Sequence, residues 1–429
     1  MAALSRSNPD GSITISFTFV PSACMIESEE RIQAALHEAG TLATGISLEH
    51  FDTDGTPIQL GGTTLTSKGE FPQGYQTPYG EVKVSRHVYQ SSQGGATYCP
   101  LEAGARIVRT ATPLFARQAA FKYGAMNSTL AVADFAEHGR KIARSYLQDL
   151  AGDVATIAAD KEALWRYTPE LSPGEKVETI SLGVDGTCAL FCEEGYRHVM
   201  VGTIALYNER HERVHATYVA RAPSEEGKGA FFEKMDQEFA VIRQRFPQAR
   251  VCGVADGAHD HWLWLKERTK WQVVDFWHVS EYLAAVAPAM AKGKVAQQCW
   301  LDEACHRLKH EQGAASRLLE EINDVMPRSR GALAEAVRRA VSYFTNHLAR
   351  MDYWFHAAIG LPIGSGITEA ACKCVVKERL CGSGMKWQVP GVRDVLLLRT
   401  MIKTEGRWSQ FWSKVSRFGF ASLTRPTRP

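Results

Sequence analysis

The order of strand and helix patterns between residues 177 and 279 constrains the fold of this chain more than any other sequence feature. Segments 179–192, 198–208 and 214–221 are rich in apolar and β-branched residues and are joined by short turns, which predicts three consecutive antiparallel strands. The segments predicted to follow are a helix over 225–245, a strand over 250–255, a helix over 260–268 and a strand over 271–276. Two strands that alternate with helices therefore follow three antiparallel strands.

This order is typical of an RNase H-like fold, so the expected fold class is α/β. Residues 280–358 have a helical pattern throughout, which predicts an all-α insertion into that domain. The insertion separates a first part of the domain, 177–279, from a last part, 359–429. The last part is predicted to contain a loop at 361–366, a helix over 367–386 and a basic C-terminal tail.

Two smaller units are predicted before the linker at 169–176. Region 1–108 is expected to be β-rich, because residues 80–89 and 96–99 have strand patterns on either side of a turn. Region 109–170 changes to a helical period, and the predicted helices cover 113–123, 129–137 and 141–165. These three helices resemble a helix-turn-helix unit that binds DNA. The residues near the start of its third helix that would read the groove are Arg140, Lys141 and Arg144. A helical bundle with no DNA-binding role is the alternative.

Two aspartates stand at matching places of the predicted sheet. Asp185 follows the apolar run of the first strand, and Asp256 follows the fourth strand; a glycine comes directly after each. The first and fourth strands are neighbours in an RNase H-like sheet, so the two carboxylates are expected to lie side by side. Such a pair repels unless a cation lies between the carboxylates, which predicts a magnesium or manganese site. The alternative for either Asp-Gly alone is an ordinary turn.

A third carboxylate is expected from the helix over 367–386. Glu369 lies in its first turn, where the positive end of the helix dipole favours the ionised, metal-binding carboxylate. Glu378, on the same helix, is the second choice. The alternative role for Glu369 is a first-turn capping residue or an ion-pair partner of Lys373.

Positive charge is concentrated near the C-terminus. Residues 373–429 hold twelve lysines and arginines against three acids, whereas the net charge of the whole chain is +2. This asymmetry favours a surface that binds a polyanion such as nucleic acid. The residues on or beyond the predicted helix that are expected to contact DNA phosphates are Lys373, Lys377, Arg379 and Lys386. A solvated helix face is the alternative.

Several ordered blocks of the sequence resemble the DDE transposases of bacterial insertion sequences of the ISKra type, which are related to the Mutator-like group. The resemblance covers about residues 75–410. The blocks that carry it are Val184-Asp-Gly-Thr187, Ala255-Asp-Gly-Ala258, Asp275-Phe-Trp-His278, Gly360-Leu-Pro-Ile-Gly-Ser-Gly-Ile-Thr-Glu369 and Arg379-Leu-Cys-Gly-Ser-Gly-Met-Lys-Trp387. The first seventy residues match no motif of this family.

The resemblance implies an RNase H-like fold and a catalytic triad of Asp185, Asp256 and Glu369 that holds two Mg²⁺ or Mn²⁺ ions. It also implies that His278 lies beside the active site, because Mutator-like relatives place a histidine three residues after a Cys or Asp. The alternative for His278 is a hydrogen-bonded core histidine. His259 and His261 open a helix that Trp262 and Trp264 anchor, so a surface or capping role is expected for these two histidines.

A transposase of this type would cleave the terminal inverted repeats of its element and join the freed 3′-hydroxyl to target DNA. Acting on two ends favours at least a homodimer. No secretion signal and no membrane-spanning run of about 18 apolar residues is found, so a bacterial cytoplasmic, nucleoid-associated protein with reduced cysteines is expected. The alternatives are a metal-dependent nuclease of the same fold without strand joining, a domesticated DNA-binding protein, and a metal-dependent enzyme that acts on a small molecule.

Overall fold

A computed structural model describes residues 4–223 and 227–420, and it divides the chain into two compact units. The first comprises Met1–Trp165 with Ser409–Pro429, and the second comprises Arg166–Trp408. None of the helices in the described ranges combines the length and the apolar character that crossing a bilayer requires. Three predicted parts of the chain lie outside these ranges. They are residues 1–3 of the region expected to be β-rich, the start of the helix predicted over 225–245, and the end of the basic tail at 421–429.

The first unit contains a two-stranded hairpin, a four-stranded antiparallel sheet and several helices. Its strands are β1 (Leu4–Ser7), β2 (Ile13–Ser16), β3 (Ile58–Leu60), β4 (Thr63–Gln76), β5 (Glu81–Ser91) and β6 (Gly94–Tyr98). Its helices are α1 (Met25–Glu49), α2 (Pro100–Gly104), α3 (Pro113–Ala125), α4 (Ser128–Glu137) and α5 (Arg144–Lys161). The predicted hairpin is confirmed as β5 and β6, and the three helical segments are confirmed as α3, α4 and α5.

Two features of this unit differ from the prediction. The region expected to be β-rich also contains α1, a helix of 25 residues. The third helix begins at Arg144 rather than at 141, because Gly139 has a left-handed φ of +72° and the next residues are not helical. Arg140 therefore precedes the helix and does not lie on its first turn.

The second unit is built on a mixed five-stranded sheet. Its strands are β7 (Thr179–Phe191), β8 (Gly195–Tyr207), β9 (Arg213–Arg221), β10 (Arg250–Ala255) and β11 (Trp271–Val274). The spatial order is β11-β10-β7-β8-β9; β7, β8 and β9 pair antiparallel, and β10 is parallel to both β7 and β11. The five predicted strands are thus confirmed to within three residues at each end, and the fold is mixed α/β.

Helices cover this sheet and occupy most of the rest of the unit. They are α6 (Gly229–Arg245), α7 (His259–Lys266), α8 (Phe276–Met290), α9 (Lys294–His310), α10 (Ala314–Val325), α11 (Gly331–His347), α12 (Tyr353–Ala358), α13 (Gly366–Ala371), α14 (Glu378–Leu380) and α15 (Val389–Lys403). The last helix of the chain is α16 (Arg407–Phe418). The wholly helical pattern over 280–358 is confirmed. The start of β7 is buried on both faces, as a strand between two helical layers is.

The helix predicted over 367–386 is shorter and less regular than expected. It runs from Gly366 to Leu380 through α13, a π-helical segment at Cys372–Lys377 and α14. A π-helical turn inside an α-helix is rare and is found mostly at functional sites, since it changes the direction in which the following side chains point. Lys386 therefore lies in the loop beyond this helix and not on it.

Candidate active site

Asp185 and Asp256 occupy adjacent places on neighbouring strands. The last residue of β10, Ala255, pairs with Val184 of β7, and the two aspartates are the next residues along the two parallel strands. Asp256 follows the end of β10, whereas β7 continues to Phe191, so Asp185 lies within its strand and not at the end. Both side chains are half-buried. The register thus brings the two predicted carboxylates together.

The carboxylates have few partners. Oδ1 of Asp185 accepts a hydrogen bond from the backbone N–H of Gly186 at 2.6 Å, and the Cys372 thiol donates to Oδ2 at 3.3 Å. Oδ1 of Asp256 accepts from the backbone N–H of Ala258 at 3.1 Å. Within residues 4–223 and 227–420, neither aspartate forms an ion pair with a lysine or an arginine. Their charge is not balanced by a permanently cationic side chain.

His261 is the neighbour of Asp256 that the sequence did not identify. Its side chain is only 4% exposed, and its Nδ1 lies 3.4 Å from Oδ1 of Asp256. Burial would raise the pKa of Asp256, but the contact with His261, the N–H of Ala258 and the charge of His278 outweigh it and lower that pKa. The expected surface or capping role of His261 is therefore wrong: five residues after Asp256, the first turn of α7 turns this imidazole inward.

Glu369 is held close to the same edge by tight packing of α13 on the sheet. Gly183 of β7 has no side chain, and a Cβ at that position would collide with the hydroxyl of Thr368. That hydroxyl lies 2.8 Å from the hydroxyl of Thr203 on β8. The residue before Glu369 is thus fixed to the sheet two positions from Asp185, which places the glutamate near the aspartate pair.

Cys372 connects the Glu369-bearing helix to Asp185. It follows Glu369 by three residues, and its buried thiol donates to Asp185. Burial raises the pKa of this thiol, and the negative charges of Asp185 and Glu369 raise it further, while Lys377 opposes them. Both carboxylates therefore act on one buried sulfur atom.

Asp275 organises the other side of the site. This residue is fully buried, and its Oδ2 accepts from the backbone N–H of His278 at 2.9 Å and from Nδ1 of the same residue at 2.8 Å. Its Oδ1 accepts from the backbone N–H of Ser365 at 2.6 Å. Asp275 thus caps α8 and also ties α8 to the loop before α13. The Ser365 hydroxyl in turn donates to Oε1 of Glu369 at 2.9 Å, so Asp275 and Glu369 both contact Ser365.

His278 is a cation at neutral pH. Its hydrogen bond to Asp275 and the negative charges of Asp275, Asp256 and Glu281 raise its pKa to about 9, against the opposing effect of burial. Its side chain is 40% exposed. The imidazolium is therefore fixed at one nitrogen by Asp275 and lies within electrostatic reach of Asp256.

One group of side chains in the described part of the chain has the spacing of a metal site. A ligand atom from each of Asp275, His278 and Glu369 lies within 4.8 Å of the other two, so this group could hold a metal ion. Asp185 and Asp256 do not belong to this group. Binding there would require His278 to lose its proton, which its raised pKa opposes at neutral pH. The metal set of Asp185, Asp256 and Glu369 stays a prediction.

Glu378, the second choice for the third carboxylate, is already paired. Its Oε2 lies 3.2 Å from Nη2 of Arg399 and 3.9 Å from Nζ of Lys403. Since two cations neutralise it, Glu378 contributes no unbalanced charge to the aspartate pair. The structure thus favours Glu369 over Glu378.

The residues expected to contact DNA divide into exposed and buried ones. The exposed residues are Lys141, Arg144, Lys373, Lys377 and Lys386. Arg379 is only 3% exposed, and its guanidinium lies 5.0 Å from the centre of the Trp387 ring. Arg140 is also buried; it donates to the carbonyl of Thr77 and to Oε1 of Gln76. The prediction that these two arginines present their charge to DNA is wrong in this structure, because both are used for packing inside their own unit.

Comparison of the sequence with models of known protein families and with curated proteins found no match.

Proposed function

We propose that this chain is a metal-dependent transposase that cleaves DNA at the ends of an insertion sequence and joins the freed 3′-hydroxyl to target DNA. The observation that carries the proposal is the adjacency of Asp185 and Asp256 on parallel neighbouring strands, with no lysine or arginine paired to either in the described residues. Glu369 lies on a helix whose residue Thr368 packs on the same sheet, which supports its assignment as the third carboxylate. Enzymes that transfer phosphoryl groups with divalent ions use such carboxylate clusters.

The sheet supports an RNase H-like catalytic domain. Three antiparallel strands occupy one side, and two parallel strands are added next to the first of them, in the order β11-β10-β7-β8-β9. The helices α8 to α12 then separate β11 from the Glu369-bearing helix, as expected of an all-α insertion. Asp185 on β7, Asp256 directly after β10 and Glu369 on the helix after α12 support the proposal.

The donor chemistry of the three carboxylates supports a proposal of two Mg²⁺ or Mn²⁺ ions. The three carboxylates offer the oxygen ligands that these hard cations prefer, and the charge of the aspartate pair is not balanced by lysine or arginine in the described ranges. Asp185, Asp256 and Glu369 would hold the ions. Bound there, the ions would activate a water or 3′-hydroxyl and stabilise the leaving oxygen of an in-line displacement.

His278 would orient the scissile phosphate. Its Nδ1 is occupied by Asp275, so the Nε2–H of the imidazolium is the donor that would bind an anionic substrate. Asp275 acts as a positioning residue, because it holds the ring and the loop before Glu369 in one hydrogen-bonded unit. The exposed Lys373 and Lys377 follow Glu369 on its helix and would contact the DNA backbone. Lys141 and Arg144 would take part in recognising the element end, and two copies of the chain would bring two ends together.

The deciding experiment is a cleavage and joining assay with DNA that flanks the reading frame. We expect Asp185→Asn, Asp256→Asn and Glu369→Gln each to lower cleavage with Mg²⁺ by at least about 1000-fold, or about 4 kcal/mol in the barrier, because each removes a charged ligand oxygen and almost no volume. Glu378→Gln is the matched control on the same helix and should keep most of the activity.

Each result separates the proposal from an alternative. Cleavage without joining would identify a nuclease, and DNA binding without either reaction would identify a domesticated binding protein. Full activity of any of the three variants would remove that residue from the metal set.

A further inference from the structure

A pair of cysteines lies where the Glu369-bearing helix ends against the sheet. Cys188 is on β7, three residues after Asp185, and Cys381 directly follows α14; the side chains of both residues are exposed. The thiol of Cys381 lies 3.5 Å from the carbonyl oxygen of Cys188. We propose that Cys188 and Cys381 form a reversible disulfide that joins β7 to the end of this helix. The inference does not depend on the proposed function.

The backbone around the two cysteines is held together by hydrogen bonds. β10 ends at Ala255, opposite Val184, so the edge of β7 beyond that point has no strand partner on this side. The chain that follows Cys381 fills the edge instead: the N–H of Cys192 donates to the carbonyl of Trp387 at 2.8 Å, and the N–H of Trp387 donates to the carbonyl of Leu190 at 3.2 Å. The contact between the Cys381 thiol and the carbonyl of Cys188 is a further point at which this segment meets β7.

This arrangement suits a disulfide. A disulfide requires two backbones that run close together, with Cα atoms about 4.4 to 6.8 Å apart. The Cys381 thiol already lies at the backbone of Cys188, and rotation about the χ1 bond of each cysteine moves its sulfur among staggered positions without moving the backbone. Both thiols can also be reached by an oxidant from solvent.

The order of the two oxidation steps follows from the surroundings of each thiol. The Sγ of Cys188 lies 3.9 Å from Nε2 of His198, which can take its proton. Partial burial and the neighbouring Cys188 raise the pKa of the Cys381 thiol, against the charge of Lys377. Cys188 is therefore oxidised first, and Cys381 resolves the product.

With hydrogen peroxide as the oxidant, the reaction balances. The Cys188 thiolate attacks one peroxide oxygen, which breaks the O–O bond, gives a sulfenic acid and, after proton transfer, releases one water. The Cys381 sulfur then attacks the Cys188 sulfur; the S–S bond forms, and the hydroxyl of the sulfenic acid leaves with the Cys381 proton as a second water. Two thiols and one peroxide thus give one disulfide and two waters. A small-molecule dithiol reverses the reaction by thiol–disulfide exchange.

The test uses the full-length protein, reduced and then treated with hydrogen peroxide. Remaining thiols are alkylated, and the protein is digested and analysed by mass spectrometry without reductant. We expect a peptide pair linked through Cys188 and Cys381 that disappears after dithiothreitol. Cys188→Ser and Cys381→Ser should each abolish it. Cys192→Ser is the matched control and should keep it, because four residues along a strand place Cys192 about 13 Å from Cys188.

The wild-type protein alone can overturn the inference. If both cysteines are alkylated as free thiols after peroxide treatment, or if Cys188 is linked to another cysteine or to a second chain, the pair is not a disulfide site. A linked pair would also raise the melting temperature of the oxidised protein relative to the reduced protein, and Cys381→Ser should remove that difference.

Discussion

Two groups of charged side chains in the second unit differ in whether lysine and arginine neutralise their carboxylates. Glu238 on α6 is buried with two cations: its Oε1 lies 2.8 Å from Nζ of Lys234, and its Oε2 contacts Arg407. All three residues are buried. Burial would raise the pKa of Glu238, but the charges of Arg407 and Lys234 outweigh it and lower that pKa. This charge cluster is balanced within the protein.

The aspartate pair is not balanced in this way. Asp185 and Asp256 are half-buried on adjacent strands, and their contacts are backbone N–H groups, a thiol and His261. Two neighbouring carboxylates repel, and the side chains that offset part of this charge are two histidines, His261 and His278. Glu238 is thus balanced by two cations, whereas the aspartates have no lysine or arginine partner in the described residues. This difference in charge balance is the reason for proposing that an external cation binds at the aspartates.

The largest effect we expect is on the balanced cluster. Glu238→Gln should lower the free energy of unfolding by about 3–5 kcal/mol, because it leaves Lys234 and Arg407 buried without their counter-charge. The measurement is urea unfolding at neutral pH. Asp236→Asn, on the same helix, breaks the contact with Arg268 near the surface and should cost roughly 0–1 kcal/mol. Equal losses in the two variants would show that burial does not distinguish these ion pairs.

A smaller effect is expected from divalent ions at the unbalanced pair. Mg²⁺ or Mn²⁺ at about 100 times its dissociation constant should stabilise the folded protein by about 2.7 kcal/mol, since it binds only the native state. In Asp185→Asn the shift should shrink, and in EDTA this variant should unfold no more easily than wild type because the repulsion between the carboxylates is gone. Thermal unfolding with and without the ion measures both. The same ion-induced shift in wild type and variant would place the ion elsewhere, with the Asp275, His278 and Glu369 group as the next candidate.

The sheet and its aspartates could be predicted because their signals are local. Each strand has its own apolar pattern and is followed by a recognisable turn, so the five strands can be predicted from short stretches of sequence. Asp185 and Asp256 are the residues directly after buried runs. Once β7 and β10 are known to be neighbouring parallel strands, the two carboxylates are expected side by side, because each directly follows the apolar run of its strand.

The parts that were missed depend on contacts between distant residues. Arg140 is buried by residues more than sixty positions earlier, Gln76 and Thr77. In α1, Gly40 and Gly45 argue against a helix in the sequence, because glycine has a low helix propensity. The structure shows why they are glycine: a Cβ at these positions would collide with Tyr79 and Val82. The glycines are thus needed where the helix packs closely on its sheet. His261 was missed for the same reason, since only the structure shows what its side chain faces.

His278 is an intermediate case between the balanced Glu238 cluster and the unbalanced aspartate pair, because it is one cation near several carboxylates. Its folded pKa of about 9 is above the ordinary value of 6.5, so its charge should stabilise the fold fully below pH 6.5 and lose this effect as the pH rises through 9. The side chain is 40% exposed, so solvent should limit the contribution to less than about 1 kcal/mol. The difference in unfolding free energy between wild type and His278→Asn, measured from pH 6 to 10, should therefore begin to narrow above about pH 6.5 and reach its smallest value near pH 9. A constant difference would mean that the ring matters for packing and not for its charge.

The smallest expected effect concerns exposed and buried cations on the Glu369-bearing helix. Lys373 and Lys377 are exposed, whereas Arg379, two residues further on, is buried against Trp387. A lysine that contacts a DNA phosphate releases about one counterion, so Lys373→Gln or Lys377→Gln should flatten the log–log salt dependence of DNA binding by roughly one unit. Between 50 and 200 mM salt this amounts to about a three- to fourfold change in relative affinity, the same for every DNA sequence. Arg379→Gln carries the same charge change and is the matched control: because its guanidinium packs on a ring, it should lower stability and leave the salt slope unchanged. A slope that changes for Arg379→Gln and for neither lysine would reverse the assignment, and the buried cation would then have to become exposed when DNA binds.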